Sequence, residues 1–177
     1  MGIFDIFKKD ENDDNLENEK QPTKNSKEII YSPMLGQKLD IKECIDKVFS
    51  TEIVGKGCLI VPSLGKVYSP CDGKISLLAD SLHAIGISSK SGAEILIHIG
   101  IDTVELKGEG FTSHVEIYDE VKKGDLLMDF DIEKIKEAGK SLQSPLVITN
   151  IDEFDVKVLE TDQEVSNTDP ILEVIAK

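Results

Sequence analysis

His98 stands at the end of the run Ile95-Leu96-Ile97-His98-Ile99-Gly100, and His83 precedes it in Ser81-Leu82-His83-Ala84-Ile85. An imidazole set among the apolar side chains of a strand loses hydration, and this is tolerated only when its ring nitrogens find partners. Two arrangements satisfy that requirement. In one, His98 is a core or rim histidine that bonds a nearby carbonyl and does no chemistry. In the other, Gly100 lets the backbone approach closely, its carbonyl accepts the Nδ1–H of His98, and Nε2 keeps the free lone pair of a nucleophile. His83 would share the pocket as a donor. Ser81, two residues earlier on the same side of an extended chain, could orient the His83 ring with its hydroxyl. The pattern is one nucleophilic imidazole beside one supporting imidazole.

The elements that must position these rings are short strands. Ile29-Ile30-Tyr31, Cys58 to Val61, Lys66 to Tyr68, Lys74 to Leu78, Ile85 to Ile87 and Ile95 to Ile99 are apolar or β-branched runs bounded by turn residues. Two segments read as helical. One is a turn around Ile41 to Ile45 leading to Val48 and Phe49; the other runs from Asp131 to Gly139, with Asp as N-cap and Gly as terminator. The domain is therefore expected to be all-β with minor short helices. Tyr31-Ser32-Pro33-Met34-Leu35-Gly36 is echoed by Tyr68-Ser69-Pro70-Cys71-Asp72-Gly73, and Val121 to Leu127 is echoed more loosely by Val165 to Ile171. Repeated turn chemistry of this kind predicts a compact sandwich built from two related β motifs.

Composition bounds the function. The 177 residues are enough for one sizeable core, and the net charge of -14 would repel a phosphate backbone, so nucleic acid is not an expected partner. Cys44, Cys58 and Cys71 have neither an even count nor a metal-ligand spacing and read as buried or incidental thiols. With no long apolar run and no signal-peptide pattern, a cytoplasmic location is expected. Residues 1–28 separate from 29–177: Ile3, Phe4, Ile6 and Phe7 form a small apolar stripe followed by Lys8 and Lys9, and the charged stretch after them reads as a disordered acidic linker. Residues 1–9 are expected to give at most weak contact with an anionic membrane surface.

Ser69-Pro70-Cys71-Asp72-Gly73, His83-Ala84-Ile85 and above all His98-Ile99-Gly100-Ile101-Asp102-Thr103-Val104-Glu105-Leu106-Lys107-Gly108-Glu109-Gly110-Phe111 resemble the IIA domain of the glucose family of the bacterial phosphoenolpyruvate-dependent sugar phosphotransferase system. The similarity runs from Ser32 to Lys177, and it suggests the glucose-specific IIA component. The resemblance implies a barrel-sandwich hybrid with a duplicated β motif. It also implies a phosphotransferase component, in which His98 takes a phosphoryl group on Nε2 from the phosphocarrier protein and passes it to a cysteine of the IIB domain of a sugar permease. His83 would support the phosphoryl oxygens and Ser81 would orient His83. Val48, Phe49, Val54 and Val104 match apolar positions of the partner surface, and Asp46 and Asp102 match acidic positions that meet basic residues of the phosphocarrier. Ile85 departs from the phenylalanine many relatives carry.

The resemblance calls for no cofactor and no metal. A regulatory protein that binds targets according to its phosphorylation state is the alternative function. A zinc metallopeptidase would need a third ligand and an HxH pair where His98-Ile99-Gly100 stands. A biotin or lipoate carrier would need a lysine in a modification motif at a hairpin tip. His114 lies outside the histidine pair and reads as a surface residue.

Overall fold

The computed structural model describes residues 23–160 and 163–177; the apolar stripe and most of the acidic linker expected within 1–28 lie outside the described residues. The chain begins with β1 (Lys27–Tyr31), β2 (Gly36–Asp40), a 3-10 turn (Ile41–Glu43), α1 (Lys47–Ser50), β3 (Lys56–Pro62) and β4 (Lys66–Tyr68). It continues with β5 (Gly73–Leu78), β6 (Ala84–Ser89), β7 (Glu94–His98), a second 3-10 turn (Thr103–Leu106), β8 (Phe111–Ser113) and β9 (Glu120–Val121). The last part holds β10 (Leu126–Phe130), α2 (Ile132–Glu137), β11 (Ser144–Ile148), β12 (Phe154–Val158), β13 (Glu164–Val165) and β14 (Pro170–Ala176). β1 takes in Lys27 and Glu28 from the charged stretch because both pair with the end of β14.

The strands form one eight-stranded sheet, β13-β2-β3-β11-β7-β6-β5-β9, and two three-stranded sheets, β1-β14-β12 and β4-β10-β8. All the pairings are antiparallel. The barrel expected from the resemblance does not close among the described strands. The large sheet ends at β9 and β13, each only two residues long, too short to carry a ladder onward to another strand.

Alternation along the central strands explains why the His98 run is apolar on both sides. Ile95, Ile97 and Ile99 join the main core, which the two small sheets cover with Phe111, Leu127, Met128, Leu172 and Val174. Leu96 faces the opposite way, into a second cluster with Ile41, Cys44, Phe49, Leu59, Ala84 and Val147. A strand buried on both faces reads as a continuous apolar run. Each fully buried isoleucine contributes about 1.5–3 kcal/mol, enough to offset a desolvated imidazole on the same strand.

The two hexapeptide echoes meet. Tyr31 N–H donates to the Pro70 carbonyl at 2.9 Å, and Tyr68 N–H donates to the Pro33 carbonyl at 2.7 Å. Ser32 and Ser69 are fully buried, and their hydroxyls donate to Met34 O at 2.6 Å and Cys71 O at 2.7 Å. Their N–H groups reach Asp169 O and Asp125 O, so the looser second echo supplies matching acceptors. The expected helical turn near residue 41 is divided, because Asp40 caps the 3-10 turn and Asp46 caps α1 separately. α2 has the Asp131 cap anticipated from sequence, and Gly139 follows at φ +72°.

Replacing Ser69 with Ala leaves the buried Cys71 carbonyl without its donor. Urea denaturation is expected to show a loss of about 1–3 kcal/mol; stability equal to the wild type would contradict this role.

Candidate functional site

His98 closes β7, and its cross-strand partner is Ala84, the first residue of β6. The residue before Ala84 is His83, whose carbonyl accepts the Ile99 N–H at 2.8 Å. Strand pairing thus brings the two rings together, with centroids 5.0 Å apart and planes at 71°. Phe49 meets the His98 ring edge-on at a centroid distance of 5.3 Å. Both histidines are almost wholly buried, at 6% and 8% exposure, so each keeps only a small opening to solvent.

Each ring has one defined partner. His98 Nδ1 lies 2.7 Å from the Gly100 carbonyl, which can only accept, so Nδ1 carries the proton and Nε2 holds the lone pair. Gly100 has φ +69°, and a Cβ there would come within 2.6 Å of Thr103 Cγ2 and 2.7 Å of Ser141 O. No other residue fits without moving the backbone. Thr103 Oγ1 donates to the Ile99 carbonyl at 2.5 Å, and Gly100 N–H donates to Ser144 Oγ at 3.0 Å.

Ser81 Oγ lies 2.8 Å from His83 Nδ1, as the sequence suggested, but not by the expected route. Leu82 between them has φ +54°, and its N–H closes a turn onto Ala79 O at 2.8 Å. The juxtaposition therefore comes from a tight hairpin turn and not from two residues sharing one side of an extended strand.

Burial sets the protonation. His83 is pushed down from an ordinary 6.5 to about 4, first by desolvation and then by the neighbouring His98. His98 is also lowered by desolvation, with the Gly100 carbonyl and Asp46 opposing the shift. Both rings are neutral near pH 7. Cys58, pushed up to about 12 by burial, is held as an inert thiol, and Cys44, Cys58 and Cys71 are all free and buried.

The other residues singled out from sequence fall into three groups. Phe49 is buried against His98, while Val48, Val54 and Val104 are half-buried and Asp102 is exposed. Asp46 is half-buried and caps α1 by accepting from Val48 N–H at 2.9 Å. His114 stands apart, partly exposed, with Nε2 2.5 Å from Asp129 Oδ2. Among the described residues, the histidine pair gathers no third His, Cys, Asp or Glu into a metal-holding cluster. No helix among the described residues is long and apolar enough to cross a membrane.

Sequence reasoning missed Ile45 and Ile53, which flank the Phe49 segment at 64% and 66% exposure. An isoleucine in a short apolar run reads as core, so no local signal marks them. Ser144 was missed because its partner Gly100 is 44 residues away in sequence.

Residues 28–154 match the family model for the phosphoenolpyruvate-dependent sugar phosphotransferase system, EIIA 1. A β-glucoside-specific EIIBCA component from Dickeya chrysanthemi is 45% identical over 127 residues, covering 72% of this chain and 20% of that protein. One from Bacillus subtilis (strain 168) is 47% identical over 129 residues, covering 73% and 21%. The chain thus spans about a fifth of the length of these curated relatives. The solved glucose permease IIA from Mycoplasma capricolum superposes with a TM-score of 0.79 at 34% identity, covering 84% of this chain and 96% of that one. These findings correct the glucose-specific subtype expected from sequence. The higher identities, 45% and 47%, belong to β-glucoside-specific components, against 34% for the glucose permease domain.

The lowered histidines fix a pH dependence. A ring harder to protonate when folded binds fewer protons than the unfolded chain below about pH 6.5, so stability falls with pH from there toward about 4. Asp72 and Asp129 are lowered from 3.8, and their contribution is lost only below that value, outside this window. Ring NMR should show His83 titrating near 4, and the fall in Tm from pH 6.5 to 4.5 should be smaller in His83→Gln. A His83 midpoint near 6.5 would contradict the burial effect.

Proposed function

The chain belongs to the EIIA 1 family of the phosphoenolpyruvate-dependent sugar phosphotransferase system, whose phosphoryl-carrier domains pass a phosphoryl group from a phosphocarrier histidine to a IIB cysteine for sugar uptake; on that premise we propose that His98 Nε2 is the acceptor atom. The observation that carries this reading is the 2.7 Å bond from His98 Nδ1 to the Gly100 carbonyl. It leaves Nε2 unprotonated, so no general base is needed. The Nε2 lone pair forms the new N–P bond as the N–P bond to the phosphocarrier histidine breaks, and the departing imidazole keeps those electrons. In the second step a cysteine thiolate of the IIB domain forms an S–P bond and the His98 N–P bond breaks. The proton stays on His98 Nδ1, donated to the Gly100 carbonyl, throughout.

His83 serves as electrostatic support. When Ser81 donates its hydroxyl to His83 Nδ1, Nε2 carries the proton and is free to donate to a phosphoryl oxygen. In-line transfer places most of the catalytic burden on positioning and on charge at the equatorial oxygens, which suits two buried neutral rings on fixed strands. The docking surface in this reading is the Phe49 segment, with Ile45, Val48, Ile53, Val54 and Val104 giving apolar contact and Asp46 and Asp102 giving orientation to a basic phosphocarrier. Residues 29–177 form the IIA unit, its first strand reaching back to Lys27. The reciprocal bonds between the Tyr31 and Tyr68 segments support a duplicated β motif in a barrel-sandwich arrangement.

The receiving domain is a IIB domain of β-glucoside type, a choice supported by the relatives' 45% and 47% identities. Intact mass after incubation with phosphoenolpyruvate, enzyme I and phosphocarrier should show one added phosphoryl group, absent in His98→Ala. His83→Gln should still be phosphorylated, but its transfer to IIB should slow by roughly 10²-fold. An undiminished adduct in His98→Ala would sink the acceptor assignment, and wild-type onward transfer by His83→Gln would sink the supporting role. Faster discharge to a glucose-type than to a β-glucoside-type IIB domain would overturn the partner assignment.

A further inference from the structure

We infer that Ser144 is a positioning residue for phosphoryl acceptance, its buried hydroxyl holding the peptide that sets the tautomer of His98; the inference rests on the reading of His98 as the acceptor. Ser144 opens β11 at 2% exposure. Its Oγ accepts from Gly100 N–H at 3.0 Å and donates to the Leu142 carbonyl at 2.9 Å. Both bonds come from one hydroxyl, so the rotor has one setting.

Gly100 lies between two peptide planes, and each has its own anchor. Ser144 pins the plane before it by its N–H, and Thr103 Oγ1 holds the Ile99 carbonyl of the same plane. The plane after it carries the carbonyl that His98 Nδ1 reaches, and is pinned by Ile101 N–H donating to Ser141 O at 3.0 Å. A glycine at φ +69° has no side chain to restrict its own rotation, so these three bonds supply the restriction, and Ser144 is the only one of the three that satisfies the Gly100 N–H. Without Ser144 Oγ, a buried N–H loses its acceptor, and turning that peptide to find another carries the Gly100 carbonyl away from the ring. A misplacement of about 1 Å can cost on the order of 10²-fold in rate.

Gln143 provides the control. It lies on the same segment, where Oε1 accepts from Ile45 N–H at 2.8 Å and Nε2 donates to Glu43 O at 3.1 Å. It therefore braces the Phe49 segment and makes no bond to Gly100.

The test uses the full chain labelled with 15N, as wild type, Ser144→Ala, Ser144→Thr and Gln143→Ala, each checked by thermal melting. Long-range 1H–15N spectra read the His98 tautomer, and initial rates with phosphorylated phosphocarrier give kcat and KM. Wild type and Ser144→Thr should show one neutral tautomer with the proton on Nδ1. Ser144→Ala should show mixed tautomers and a kcat lowered at least about tenfold, with KM little changed. Gln143→Ala should keep the wild-type tautomer. If Ser144→Ala does not fold, Ser144→Cys, with a weaker acceptor of similar volume, is read the same way. A wild-type tautomer and rate in Ser144→Ala, or equal tautomer mixing in Gln143→Ala, would overturn the inference. Absence of phosphoryl from wild-type His98 would instead overturn the acceptor reading; the tautomer spectra of the unphosphorylated chain test the role of Ser144 separately.

Discussion

The hydrogen bond from His98 Nδ1 to the Gly100 carbonyl is the constraint on which the site depends. It decides which ring nitrogen holds the proton, and so which one can form a bond to phosphorus. That carbonyl is aimed at the ring because residue 100 adopts a left-handed conformation in space that a Cβ would fill. Burial completes the effect by lowering both histidines, which keeps the lone pair available under mildly acidic conditions. An exposed histidine would have neither a fixed tautomer nor a depressed proton affinity.

The fold supplies this environment through a sheet covered on both faces. The small sheets cover one face of β7 with the main core, and the Ile41 to Phe49 segment covers the other. His98 sits where that second cover ends, which accounts for a ring that is nearly buried yet open at one edge. His83 arrives by a different device, the turn at Ala79 to Leu82, where a leucine is held at φ +54°. A bulky residue in that region is uncommon, and its presence here fits a turn that the rings beside it require.

Much of this is legible in the amino-acid sequence alone. The pairing of His98 with Gly100, the contribution of Ser81 and the caps of α2 follow from residue chemistry over a few positions. Several other strands are not, for identifiable reasons. β11 begins Ser144-Pro145 and β14 begins at Pro170, and proline ordinarily argues for a turn. β2 is the polar run Gly36-Gln37-Lys38-Leu39-Asp40, and β10 shows no clean alternation because it is buried on successive positions. The Ser81 route differs from the extended chain the sequence predicts, because a positive φ at Leu82 leaves no mark in a leucine. The subtype is not legible in the short stretches around the histidines; identity over some 127 and 129 residues is what favours the β-glucoside components.

Locating the phosphorus atom tests the account most directly. In the 15N-labelled, phosphorylated chain, 31P–15N coupling should connect phosphorus to Nε2 of His98 while Nδ1 keeps its proton, donated to the Gly100 carbonyl. Coupling to Nδ1 of His98, or to either nitrogen of His83, would contradict it.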